Sequence, residues 1–179
     1  DKYSNSVYQL TSVEYAWETL DRYISNIIWD KFINCLYEVI DELLEIKNHT
    51  LEYSSALLHG MLRTLIMKAY YRKNISNQYI VDNIVRNILS KVTSVEKWGC
   101  IAQYFTDLCE AAPSVVLKKL EDEILNPTGM REYLDDNIKE HIAYRHHYTD
   151  IIWAIEQLLL QKDFVNRAIE LLWDLNSLN

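Results

Sequence analysis

The sequence predicts an all-α fold: about eight antiparallel helices in pairs, forming either a HEAT/armadillo-like right-handed array or an irregular helical bundle. Three observations predict it. Apolar residues recur at three- and four-residue steps along most of the chain, the period of a helix with one buried face. Glycine and proline are scarce, with three Gly and two Pro in 179 residues, where average usage would give roughly 21; folds that need many tight turns or Gly-rich phosphate loops start at a disadvantage. A composition 49% hydrophobic and 25% charged belongs to a globular chain, not a disordered or membrane-spanning one.

The elements follow in order. Thr11 with Glu14 three residues later makes a capping box, and Val13, Trp17, Leu20 and Ile24 continue an apolar stripe, so a helix is expected over 12–25. Over 27–46, Ile28, Trp29, Phe32, Ile33, Leu36, Val39, Ile40, Leu43 and Leu44 form one face and Asp30, Asn34, Glu38, Asp41, Glu42 and Glu45 the other, a long amphipathic helix. A third, 54–71, turns Leu57, Leu58, Met61, Leu62, Leu65, Ile66 and Ala69 inward and tolerates Gly60. Over 77–92 the β-branched residues suggest a strand, but apolar pairs repeat every four residues and never alternate, which makes it a helix.

The fifth helix is expected to run unbroken over 95–112, through Trp98, Ile101, Ala102, Phe105, Leu108 and Cys109, until Pro113 opens the next. In that sixth helix, 114–125, Val116, Leu117, Leu120 and Ile124 face inward, and Lys118, Lys119, Glu121, Asp122 and Glu123 are expected to form a solvated charged face. Asn126-Pro127-Thr128-Gly129 is a strong turn cluster. It opens a long connection, 126–148, with at most a short helical turn around Met130–Leu134; two last helices follow over 149–160 and 163–177. Grouped in pairs the helices begin near 12, 54, 95 and 149, and the first two intervals are close to the ~40–47 residues of HEAT and armadillo repeats. Trp17, Trp29, Trp98 and Trp153 mostly keep phase with the apolar stripes and are expected in the core.

The formal charge is −8, divided as −2 over residues 1–90 and −6 over 91–179. This balance argues against nucleic-acid binding, which draws on clustered cations. Cys35, Cys100 and Cys109 form no CxxC pair, and an odd number argues against a closed disulfide framework. They read as reduced thiols of a cytoplasmic protein. No apolar run approaches the ~20 residues that cross a bilayer, and the chain begins at Asp1 without Met, so it reads as a single all-α domain, 1–179, cut from something longer.

Phosphate-binding loops, a GxSxG elbow and HExxH are all absent from the sequence, and no Arg has a His five to seven residues on. His59 stands alone on its helix. The clustered candidates are His141, His146 and His147, with Asp150 nearby; imidazoles and carboxylates together can bind a transition metal or act as acid and base. Adjacent His146 and His147 cannot share a helical face, so a solvated loop is the expected role, and neither metal nor cofactor is assigned. Tyr70-Tyr71-Arg72-Lys73 is an aromatic and cationic helix end suited to a partner contact, although capping explains it equally.

The runs Glu110-Ala111-Ala112-Pro113, Leu120-Glu121, Tyr148-Thr149-Asp150-Ile151-Ile152-Trp153-Ala154-Ile155-Glu156 and Arg167-Ala168-Ile169-Glu170-Leu171-Leu172 resemble a helical region of large, mostly uncharacterised bacterial multidomain proteins, some of which join it to an NTPase module. The resemblance spans about residues 95–179. Relatives tend to carry a Trp and a Pro where this chain has Gln161-Lys162-Asp163. It brings no catalytic residues and implies a helical-repeat segment inside a longer bacterial protein. The expected function is a noncatalytic scaffold or sensor module that meets a protein partner or other domains of its own chain, with a metal- or His-dependent enzymatic domain using 141–150 as the alternative.

Overall fold

The computed structural model describes residues 13–45, 55–70, 75–134 and 148–177. Among these the regular structure is helical throughout: α1 (Val13–Leu20), α2 (Asn26–Glu45), α3 (Ser55–Tyr70), α4 (Ile75–Ser90), α5 (Val95–Ile101), α6 (Phe105–Ala111), α7 (Pro113–Leu125), α8 (Met130–Leu134), α9 (Tyr148–Leu159) and α10 (Val165–Ser177). Thr11 of the expected capping box lies outside the described residues.

Local chemistry accounts for the boundaries. Ser94, in extended conformation, caps α5 by accepting the Lys97 N–H at 3.4 Å. Pro113 opens α7, at the position where its missing N–H costs no helical hydrogen bond. Gly129 has φ of 132°, and a Cβ there would come within 2.5 Å of backbone atoms of Ser94 and Val95. The turn after α7 is therefore pressed against the start of α5, and only glycine fits.

Each major helix buries the stripe its period marks. Trp29, Leu36, Val39, Ile40, Leu43 and Leu44 of α2 join Leu58, Met61, Leu62 and Leu65 of α3 and Val81, Ile84, Val85, Ile88 and Leu89 of α4 in one core. Ile28 and Leu57, expected inward, lie at the exposed margins of their stripes. The centre of the core is α6, which packs against α3, α4, α7 and α9. Further contacts join α3 to α4, α4 to α7, α7 to α10 and α9 to α10.

The helix expected over 95–112 is broken, because residues 102–104 form a 3₁₀ turn in which the Phe105 N–H bonds the Ala102 carbonyl. The break sends the two halves to different neighbours: α5 packs on α2 and α8, whereas α6 packs on α3 and α9. Trp98 and Phe105 meet across it with ring centroids 5.4 Å apart. The short helical turn placed around Met130–Leu134 within the connection over 126–148 is present; residues 135–147 lie outside the described residues.

Glu123 is not on the solvated face expected of it but is 2% exposed. Its Oε1 accepts from Lys119 Nζ at 2.9 Å and from the Thr128 hydroxyl, and its Oε2 accepts the Thr128 N–H at 2.8 Å and the Met130 N–H at 3.4 Å. Burial pushes this carboxyl up, but the hydrogen bonds from Thr128 and Lys119 outweigh that and hold it below its ordinary value. Lys119 in turn donates to the Val92 carbonyl at 3.0 Å and lies 5.6 Å from the Trp98 ring centroid. One buried ion pair thus joins the end of α4, the body of α5, α7 and the turn into α8.

The cysteines divide by environment. Cys109 is buried with its Sγ 3.3 Å from the Ala154 carbonyl, and burial, helped by Glu110, pushes its thiol up to about 12. Cys35 is exposed on α2. A thiol reagent should therefore label Cys35 in the native protein at pH 8 and leave Cys109 unmodified until denaturant is added; mass spectrometry of the labelled peptides reads the difference.

Candidate functional site

Of the histidine group, the structure describes only Asp150; His141, His146 and His147 lie outside the described residues. Asp150 sits half-buried in the first turn of α9, and its backbone carbonyl accepts from the Thr106 hydroxyl at 3.4 Å. Tyr133 is close by: burial first, then Asp150 and Cys100, raise its phenol well above the ordinary value. Among the described residues, no three His, Cys, Asp or Glu side chains are grouped to hold a metal ion. Tyr70 is exposed at the end of α3, beside Glu110, while Tyr71, Arg72 and Lys73 lie outside the described residues.

His59 is not alone. Its Nδ1 lies 2.6 Å from Asp107 Oδ2 on α6, and its ring stacks at a tilt on Tyr104, centroids 4.8 Å apart. A carboxylate on Nδ1 is the orientation used in acid–base dyads. Here the pair ties α3 to α6 through half-buried side chains. The two residues are 48 apart in sequence, so no spacing rule could have joined them.

The most distinctive surface lies on α9 and α10. Ile151, Ala154, Ile155 and Leu158 of α9 are buried, with Thr106 and Cys109 of α6 bonding the carbonyls of Asp150 and Ala154 on that side. Trp153 falls on the far side and is 56% exposed; Leu160, seven residues on, is 87% exposed. On α10, Ala168 and Leu171 are buried, and Arg167 reaches α7, its Nε and Nη2 donating to the two carboxylate oxygens of Glu121 at 2.9 and 2.7 Å. Ile169 and Trp173, one turn apart on a face turned away from Arg167, are 55% and 75% exposed. Single exposed apolar residues are ordinary, whereas several that adjoin on packed helices mark an interaction surface.

Trp153 is therefore not a core residue. A signal was present in its neighbourhood: Ile151 to Ile155 are five consecutive apolar residues, and a helix of 3.6 residues per turn cannot turn all five to one side. Trp153→Ala should cost less than about 1 kcal/mol in urea unfolding instead of the ~3–5 kcal/mol of a buried Trp.

No family model, no curated protein and no solved structure matches this chain.

Proposed function

We propose that this chain is a noncatalytic interaction module, a HEAT-like stack of antiparallel helix pairs within a larger cytoplasmic bacterial protein, which holds a protein partner or a neighbouring domain. The single observation that carries the reading is the exposure of Trp153 and Trp173 on adjoining helices. The stacking is supported by the contacts: α3 with α4, α6 with α7 and α9 with α10 are the pairs, and α3–α6–α9 and α4–α7–α10 are the two rows in which each pair meets the next.

The test has two arms. The double variant Trp153→Ser/Trp173→Ser should bind several-fold less of an uncharged apolar dye such as Nile red than the parent while keeping its helical circular dichroism; unchanged dye binding counts against the face. Assays against nucleotide, phosphodiester and peptide substrates with added divalent metals should give no turnover. The second reading, a metal- or His-dependent enzymatic domain using 141–150, draws on the proximity of Asp150, Tyr133 and Cys100, and hydrolysis abolished by His146→Ala/His147→Ala would put it first.

A further inference from the structure

We infer that the occupant of the α9–α10 face is a basic amphipathic helix, laid along the seam between the two helices with its apolar stripe on Trp153, Ile169 and Trp173; this rests on the reading of that face as an interaction surface. Two observations lead to a helix of this charge.

The first is continuity with the interfaces already in the molecule. α9 meets α6, and α10 meets α7, helix on helix. The side of α9 and α10 away from α6 and α7 offers the same type of support, two packed helices with exposed apolar residues: Trp153 on α9, with Leu160 just past its end, and Ile169 and Trp173 one turn apart on α10. Half-buried Ile152 and Leu172 flank these positions. An amphipathic helix laid on two helices buries i, i+3, i+4 and i+7 side chains, which is how helices occupy grooves on other proteins.

The second is the charge around the apolar residues. Glu156, Glu170 and Asp174 are exposed beside them, and over residues 148–177 five carboxylates stand against two cations. One of those cations, Arg167, is engaged by Glu121 on α7 and is also near Glu170; the other, Lys162, is next to Asp163. An apolar face with an acidic rim favours a partner whose stripe is flanked by Lys or Arg. The same rim opposes a second copy of this chain, which would bring like charges together, and opposes anionic membrane surfaces.

The test uses two synthetic peptides of about 18 residues, long enough for several helical turns and free of tryptophan. Both carry Leu at i, i+3, i+4 and i+7; one is flanked by Lys, the other by Glu. The fluorescence anisotropy of a dye on the peptide reports binding, so that the parent and the Trp153→Ser/Trp173→Ser variant are read in the same way. At low salt the Lys-flanked peptide should bind roughly tenfold or more tighter than the Glu-flanked one, a preference that narrows as salt rises, and Trp153→Ser/Trp173→Ser should remove the binding. Equal affinity for both peptides, lost in the double variant, would overturn the basic partner and leave the interaction face standing. Failure of both peptides to bind, or equal binding to parent and double variant, would overturn the face itself. A concentration-dependent dimer in sedimentation that the double variant lacks would make the occupant a second copy and overturn the inference. Should the double variant not fold, Glu156→Lys/Glu170→Lys provides the check: it should reverse the peptide preference, and an unchanged preference would sink the inference.

Discussion

Glu123→Ala is expected to destabilise the protein by about 3–5 kcal/mol, the usual cost of removing one partner from a buried, hydrogen-bonded charge pair. The carboxylate accepts from Lys119, from the Thr128 hydroxyl and from the backbone N–H groups of Thr128 and Met130. Truncation strands the ammonium, which is mostly buried, and leaves those donors short of an acceptor. Urea unfolding at neutral pH measures the loss. The pH dependence has a definite sign. Because the folded carboxyl is held below its ordinary value, its stabilisation is fully present above the unfolded pKa, about 4.3, and is lost as pH falls through the lower folded value. The stability difference between the parent and Glu123→Gln should accordingly be flat from pH 7 to about 5 and shrink in acid. A difference that grows on acidification would show that the carboxyl is not held in its charged form.

Trp98→Ala should cost about 3–5 kcal/mol, by transfer free energy and by the cavity it leaves. The side chain is fully buried, packs on Phe105 across the break between α5 and α6, and lies under the Lys119 ammonium. Lys119 therefore touches both Trp98 and Glu123, so the two losses should not add. A double-mutant cycle should give a coupling of about 0.5–3 kcal/mol, whereas simple additivity would show that Lys119 does not connect them.

The helical class, the stripes and most helix ends were legible because a 3.6-residue period and a helix-opening proline such as Pro113 are local. What was hidden depended on through-space placement. Glu123 reads as one of three consecutive acidic residues, and nothing in that run says that the turn at Thr128 folds back onto one of them. The apolar stripe through Trp98, Ile101 and Phe105 is continuous in sequence, so the 3₁₀ turn that divides it between two sets of neighbours leaves no periodic mark. Trp153 keeps phase loosely enough to pass for core, and its exposure follows from which side of α9 meets α6. Asp150 and Tyr70 were singled out by chemistry alone, and burial was needed to place Trp153 and Ile169 on the exposed sides of their helices.

The break at 102–104 also determines where this chain can change length. One residue added within α5 or α6 rotates the helix beyond it by about 100°, turning an apolar stripe away from its support. For α6 that would uncouple α3, α4, α7 and α9 together. The segment after α7 is fixed more narrowly, at one point, where Gly129 abuts the backbone of Ser94 and Val95. Insertions are thus least tolerable inside a seven-residue helix, which makes α6 the part of the molecule whose length variation among relatives should be smallest.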